Sequence, residues 1–306
     1  METYAVFGIP ILHSKSPQLF NSVFGVMNID AKYTRIRPRN GIDLINIILN
    51  HNIKGANVTT PFKEDVLHYM HGISDDVKEI QGVNTIINYN GKLVGHNTDH
   101  IGVVNSLINA GITLKGSKVL VLGAGPAASA AAYGLRNAGA NVFIANRTAQ
   151  KAIEIGKRLN VNIIDFANIA KVLNEFDIVV SALLPNVNPF ENVTLPKGLI
   201  LFDANYRTST LSNQFKMFGC RNISGKQWLI NQAVESFKIF LGVEPDLESM
   251  TNAVESDLDK NALKAGWLQS VSGKGSLGDC DLLISANSEN EYNGFLDEEI
   301  SKAFGC

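Results

Sequence analysis

The sequence has little to offer covalent or metal-based stabilisation. Its three cysteines, Cys220, Cys280 and Cys306, are odd in number and far apart, so neither a disulfide framework nor a zinc site is expected, and a reducing compartment fits. Histidine is sparse too. His68 and His71 stand three apart with no further cysteine, histidine or acidic cluster at ligand spacing, so they read as a surface pair and no metal is expected. Charge of one sign is also missing. A formal net charge of -2 leaves no electrostatic footprint for nucleic acid or an anionic membrane. Long apolar runs are absent as well, none approaching the roughly 18 residues of a membrane span. The opening ten residues carry no basic leader. These absences leave a cytoplasmic protein acting on a small molecule, with its assembly, as a homodimer or otherwise, left open.

What is present is ample apolar material: 45% of 306 residues, enough for two domains with a core each. Tyr4 to Gly8, Lys32 to Arg37 and Ile53 to Val58 read as strands, with helices expected after Ser16 and over Asp43 to Asn50. Strand and helix alternation of this kind predicts a mostly parallel sheet flanked by helices. After the third strand, Thr60 reads as a helix cap and Pro61 as the first helical residue, with Phe62, Val66 and Met70 on a buried face. Lys63 would then lie in a first helical turn, where the positive end of the helix is expected to lower its pKa toward a range useful for proton transfer.

A hairpin is predicted around Asn90-Gly91, between Asn84 to Tyr89 and Lys92 to Val94. It leads into His96-Asn97-Thr98-Asp99, where Asp99 is placed to start a helix with the apolar face Val103, Val104, Leu107 and Ile108 and a stop at Gly111. Lysine and aspartate thus fall at strand–helix junctions, where α/β enzymes gather their chemistry. The loop Ile9 to Pro17 brings Ser14 and Ser16 beside a positive helix end, an arrangement suited to a carboxylate. The simpler alternative is that Ser16 only caps the helix and Ser14 only turns the loop.

From Gly116 the character changes. The apolar strand Lys118 to Leu122 runs into Gly123-Ala124-Gly125-Pro126-Ala127-Ala128 and an alanine-rich helix, the dinucleotide fingerprint in its required strand, turn and helix context. Glycines there permit the turn and the approach of a pyrophosphate, and small residues let the helix lie close on the sheet. The next strand, Asn141 to Ala145, ends in Asn146-Arg147-Thr148. An arginine there complements a 2′-phosphate where a carboxylate would accept from a ribose hydroxyl, so NADP is expected over NAD. Strands at Asp177 to Ala182 and Leu199 to Asp203 extend a doubly wound sheet. A helix with Leu229, Ala233, Phe237 and Leu241 on one face then leaves Gln232 one position off, directed either into a cleft or into water. Beyond residue 248 a polar helix (Asn252 to Gln269), a Gly/Ser-rich loop, a short apolar run (Leu282 to Ser285) and an acidic helix (Leu296 to Phe304) are expected, with no chemistry assigned.

Over roughly residues 1 to 247 the chain resembles the shikimate dehydrogenases. The motifs that carry this are Ser14-Lys15-Ser16-Pro17, Asn57 to Lys63, Val83-Asn84-Thr85, Asn97-Thr98-Asp99, Gly123-Ala124-Gly125, Asn146-Arg147-Thr148 and Gln232, in that family's order and at its approximate spacing. It departs from the family pattern at His100, Pro126, Leu183 to Val187 and Trp228. The resemblance implies NADPH-dependent, reversible reduction of 3-dehydroshikimate to shikimate in aromatic amino acid biosynthesis. Lys63 and Asp99 would be the catalytic pair. Ser14 and Ser16 would bind the substrate carboxylate, Thr59, Asn84 and Gln232 its hydroxyls, and Tyr206 would match a site tyrosine. Gly123, Ala124, Gly125, Ala127, Asn146, Arg147 and Thr148 would hold the cofactor.

The fold expected is α/β: an N-terminal α/β substrate domain plus a Rossmann-type doubly wound NADP-binding domain. Residues 1–100, completed by about 225–260, would form the substrate-binding catalytic part, 101–224 the dinucleotide-binding part, and 261–306 an extension with no role assigned. Two rival functions remain at this level: a quinate/shikimate dehydrogenase using NAD, and a regulatory protein that senses the same ligand without turnover.

Overall fold

The computed structural model describes residues 1–11, 13–255, 267–275 and 278–286. In chain order the first elements are β1 (Glu2–Phe7), α1 (Ser16–Val26), β2 (Ala31–Arg37), α2 (Gly41–Asn50), β3 (Gly55–Val58), β4 (Gly72–Ile73), α3 (Asp75–Ile80), β5 (Thr85–Tyr89) and β6 (Lys92–His96). The middle of the chain gives α4 (Asp99–Asn109), β7 (Lys118–Leu122), α5 (Pro126–Asn137), β8 (Asn141–Ala145), α6 (Ala149–Leu159), β9 (Asn162–Ile163), β10 (Ile178–Ser181) and β11 (Ile200–Asp203). There follow α7 (Thr210–Met217), β12 (Arg221–Ser224), α8 (Gly225–Leu241), α9 (Leu247–Glu255), β13 (Trp267–Gly275) and β14 (Gly278–Ala286). Two compact units result. One comprises Met1–Ser74, Val83–His96 and Ser236–Cys306; the other comprises Asp75–Gly82 and Asn97–Glu235.

The first unit is built on a sheet ordered β14-β13-β2-β1-β3-β5-β6-β4. β13, β2, β1 and β3 run parallel, whereas β5 pairs antiparallel with β3 and with β6. This sheet is therefore more mixed than the strand and helix alternation predicts. The antiparallel part follows from Asn90 and Gly91, whose positive φ values of 53° and 91° are what a tight two-residue hairpin demands. The core is aromatic. Phe20 of α1 stacks on Tyr33 of β2 with ring centroids 4.3 Å apart, and lies 6.0 Å from Phe237 of α8. Gly55 is needed where the sheet meets α8, because a Cβ there would stand 2.5 Å from the Phe240 ring.

The expected helix after β3 does not form. Thr60 to Glu64 make a turn, the Thr60–Pro61 peptide bond is cis, and only a five-residue 3-10 segment, Asp65–Tyr69, follows. Phe62 and Val66 are buried as the four-residue spacing requires, but the turn satisfies that spacing as well as an α-helix would. Thr60 therefore caps no helix, and Lys63 lies in this turn and not in the first turn of an α-helix. His71 falls outside the 3-10 segment and its Nδ1 accepts from the Leu93 N–H at 3.1 Å.

The second unit has a wholly parallel sheet ordered β12-β11-β10-β7-β8-β9. β7 is apolar on both faces. Val119 and Val121 pack with α4, α5 and α6 on one side, while Leu120 and Leu122 pack with Phe190, Leu211 and Phe215 on the other. A continuous apolar run of this kind is the mark of a strand covered by helices on both sides. On α4, Val103 and Leu107 are buried as expected but Ile108 is 53% exposed, so the apolar face is narrower than predicted. Among the described residues no helix is long and apolar enough to cross a membrane. Of the polar helix expected over 252 to 269, residues 252–255 lie in α9 and 267–269 in β13; the stretch between them lies outside the described residues. The apolar run from Leu282 lies on β14; the acidic helix expected near residue 300 lies outside the described residues.

Candidate active site

In the first unit the predicted site residues gather at one end of the sheet. β1 and β3 are parallel, so their carboxyl ends coincide, and β5, antiparallel to β3, begins at the same end. Ser14 and Ser16 follow β1, Thr59 and Lys63 follow β3, and Asn84 immediately precedes β5. Backbone bonds fix this cluster. The Thr59 N–H donates to Phe7 O at 2.8 Å and the Val58 N–H to Asn84 O at 2.8 Å. The Val83 N–H donates to Lys63 O at 2.8 Å, stapling the lysine turn to the residue before Asn84. Gly8 allows this closeness, since a Cβ there would stand 2.4 Å from Thr59 Cγ2. Lys63 is half-buried.

The serine loop differs from the simpler reading, in which Ser16 caps the helix. α1 is capped at Lys15, not by the Ser16 side chain, and Ser16 is the first helical residue, 4% exposed. Ser14 Oγ instead accepts from the Ser16 N–H at 3.4 Å and donates to Ser16 Oγ at 3.3 Å. The two hydroxyls therefore lie side by side.

Beneath Asn84 lies a polar network that sequence reasoning missed. Asn57 of β3, 5% exposed, donates through Nδ2 to Thr85 Oγ1 at 3.0 Å, Ser236 Oγ at 2.9 Å and Asn84 O at 3.3 Å. Its Oδ1 accepts from the Tyr33 hydroxyl at 2.6 Å. Thr85 Oγ1 in turn donates to Asn84 Oδ1 at 2.9 Å, so the chain of bonds ends on the side chain of a predicted site residue. Burial pushes the Tyr33 hydroxyl well above the usual tyrosine range, opposed only in part by Asn57 and by the Arg35 charge. A polar residue between buried neighbours in a four-residue strand was the available signal.

In the second unit Asp99 starts α4, as its position predicts, and is 7% exposed. Asn97 does the local work: its Oδ1 accepts from the Asp99 N–H at 3.0 Å, its Nδ2 donates to Gly82 O at 2.7 Å, and its own N–H donates to Asp76 Oδ2 at 3.1 Å. Gln232 points neither into water nor off the packed face. It is 8% exposed, and its Oε1 accepts from Thr98 Oγ1 at 3.3 Å. Gly102 lets α4 approach α8 here, because a Cβ would lie 2.9 Å from Trp228 and 3.0 Å from Gln232 Cβ. Trp228 is buried against Phe202, ring centroids 5.5 Å apart.

The remaining predicted residues follow the carboxyl ends of the parallel strands. Gly123, Ala124 and Gly125 link β7 to α5, with Ala127 in its first turn. Asn146, Arg147 and Thr148 follow β8, and Tyr206 follows β11. The strand order reverses between β7 and β10, and crevices outside the carboxyl ends at such a point are where α/β sheets bind dinucleotides. The loop fits such a ligand. Gly123 has φ 116°, a Cβ at Gly125 would meet nothing within 4 Å, and Arg147 is exposed beside it in the sheet order. Asn146 Nδ2 donates to Thr148 O at 3.1 Å, shaping the turn that presents the arginine. Tyr206 stands in a loop organised by Asp203, whose Oδ1 accepts from the Asn205 N–H at 3.1 Å and whose Oδ2 accepts from Ser209.

Comparison with known proteins agrees with this geometry. Residues 6–86 match the family profile "Shikimate dehydrogenase substrate binding domain", residues 106–192 "Shikimate / quinate 5-dehydrogenase", and residues 229–255 "Shikimate 5'-dehydrogenase C-terminal domain". The chain is 34% identical over 256 residues to the shikimate dehydrogenase (NADP(+)) of Pyrococcus abyssi, an alignment spanning 82% of this chain and 96% of that protein. It is 33% identical over 270 residues to that of Methanosarcina acetivorans, with the same coverages of 82% and 96%. Among solved structures, it superposes on the Aquifex aeolicus shikimate dehydrogenase with a TM-score of 0.80 at 30% identity, spanning 84% of this chain and 98% of that one. The Thermus thermophilus shikimate 5-dehydrogenase, solved with NADP(H) and shikimate, gives 0.75 at 28% identity, spanning 83% and 98%. With two α/β units, a dinucleotide-type turn and near full-length relatives of one kind, this chain belongs to the shikimate dehydrogenase family.

Proposed function

We propose that this protein is an NADP-dependent shikimate dehydrogenase that reversibly reduces 3-dehydroshikimate to shikimate. One observation above all supports this: the chain matches relatives of that name over 96% of their length at 34% identity. Residues 1–100, completed by about 225–260, are assigned the substrate, and residues 101–224 the cofactor. Gly123, Ala124, Gly125 and Ala127 would lie along the pyrophosphate and Asn146, Arg147 and Thr148 around the adenosine phosphate, a donor set that suits the open turn described above. When bound, NADPH supplies the hydride.

The chain's own residues supply everything else. Reduction of a ketone builds negative charge on its oxygen, and the Lys63 ammonium stabilises that charge and donates the proton from Nζ. Asp99, whose N–H is held by Asn97, accepts from a substrate hydroxyl. Ser14 and Ser16 bind the carboxylate through their adjacent hydroxyls. Thr59, Asn84, Gln232 and Tyr206 orient the ring hydroxyls, with Asn84 held by the Asn57 network. The rival role of a ligand sensor without turnover has no use for a paired proton donor and acid.

The decay of NADPH absorbance on adding 3-dehydroshikimate tests this. Sustained, protein-dependent decay is expected. Binding of shikimate with no decay would favour the sensor instead.

A further inference from the structure

Arg35 is a side chain that the proposed reaction leaves unused, and it is among the most deeply buried in the protein. It lies on β2, opposite Val6 of β1, and is 1% exposed. A guanidinium keeps its charge in any protein environment, and taking a charge out of water is costly unless it is strongly hydrogen-bonded. Its Nε and Nη2 both donate to the main-chain carbonyl of Ser14, at 2.9 and 2.6 Å. The next residue of the loop is itself a cation and anchors the loop: Lys15 Nζ donates to Val254 O at 2.7 Å, in the last turn of α9. The loop that carries the two adjacent serine hydroxyls is thereby pinned from two sides, and the fork on Ser14 is the buried one.

Two physical consequences follow. The fork fixes the Ser14 peptide plane, and with it the direction of the Ser14 and Lys15 backbone and the hydroxyl that meets Ser16. The fixed positive charge also sits one peptide group behind the hydroxyls, in surroundings where water screens it little, so its field reaches the place where an anion would sit. Simple packing would require neither a charged group nor two donors aimed at one carbonyl.

We infer that Arg35 is a positioning residue for carboxylate recognition: it holds the Ser14 loop in its anion-binding form and adds the buried charge that makes the pocket select an acid. This rests on the assignment of Ser14 and Ser16 to the substrate carboxylate. Arg35 does not touch substrate; it acts through Ser14.

The test compares shikimate oxidation with oxidation of its uncharged carboxamide by wild type, Arg35→Lys and Arg35→Met. Wild type is expected to prefer the acid. Arg35→Met should raise KM for shikimate by about 10- to 100-fold, the range for losing hydrogen bonds to a charged group, while changing kcat and the KM of the carboxamide far less. Arg35→Lys, which keeps the charge but not the fork, should fall between them, and it remains informative should the methionine variant fail to fold. KM for NADP should not move in a folded variant. Equal losses on acid and amide in Arg35→Met, or in Arg35→Lys when that is the only folded variant, would reduce Arg35 to a packing role and overturn the inference. A wild-type enzyme that does not distinguish acid from amide would instead overturn the serine assignment, and the inference with it.

Discussion

At the scale of single residues, Tyr33 couples burial to pH. Its hydroxyl is enclosed and bonded to Asn57 at 2.6 Å, and burial holds its pKa well above the ordinary value. The unfolded chain ionises near pH 10 while the folded one does not. The stability Tyr33 contributes is therefore whole below about pH 10 and is lost as pH rises toward the folded value. Tyr33→Phe should lose about 1–3 kcal/mol at neutral pH, because Asn57 Oδ1 is left unsatisfied in a buried site. Urea melts should show the gap between wild type and variant narrowing above pH 10, since phenylalanine has nothing to ionise; a gap that widens there contradicts this. Arg147 makes a second prediction of the same scale. Arg147→Ala should cut kcat/KM for NADPH by about 10- to 100-fold, consistent with loss of a charge-assisted phosphate contact, and leave the value for NADH nearly unchanged. Steady-state comparison of the two cofactors decides it.

Residues of this kind were unevenly legible. Lys63, Asp99 and the glycine turn announce themselves because each stands next to a strand end or a helix start. Asn57 and Arg35 do not, since a strand's alternation says which face a side chain takes but not that a polar side chain on a buried face is satisfied. Arg35 reads from sequence as one of several cations around Arg37 and Arg39, and only its two bonds to Ser14 set it apart.

At the scale of elements, the contact of α4 with α8 carries two predicted site residues, Asp99 and Gln232. Gly102 is its closest point, with main-chain and side-chain atoms of Gln232 within 3.1 Å of an added Cβ. Gly102→Val should overpack this contact, destabilise by about 1–3 kcal/mol and reduce kcat/KM, because the helices that carry Asp99 and Gln232 are forced apart. Thermal melts together with kinetics check both parts; an active variant of unchanged Tm would refute the account of this contact. The elements that the sequence predicts well are those with a local cause: the Asn90-Gly91 hairpin, the β7 to α5 turn and the alanine-rich α5. The failure at residues 60–70 has a cause as well. Apolar residues four apart suit a helix, but here the turn is held by a distant partner, the bond from the Val83 N–H to Lys63 O, which no local pattern encodes. The capping roles read for Ser16 and Thr60 also failed: the Ser14 side chain meets the Ser16 N–H, and no α-helix follows Thr60.

At the scale of the whole molecule, the three family profiles end at residue 255, whereas β13 and β14 continue beyond it and β13 pairs with β2 along the edge of the first sheet. A chain ending at residue 260 is expected to fold and to retain turnover, since α9 and its contact with Lys15 remain. It should also self-associate more readily, because removing β13 bares the β2 edge to other chains. Circular dichroism, activity and light scattering on the shortened protein check this, and a truncated chain that is unfolded would contradict it.

The central claim of the proposed function concerns two side chains, Lys63 and Asp99, serving one reaction. A double-mutant cycle on turnover addresses it most directly. Lys63→Ala alone should lower kcat by at least ~100-fold with a smaller change in KM, Asp99→Asn should lower it too, and the double variant should be little worse than the poorer single one, as for groups that act as a unit. Losses that simply multiply, or single variants that turn over 3-dehydroshikimate at the wild-type rate, would contradict the account.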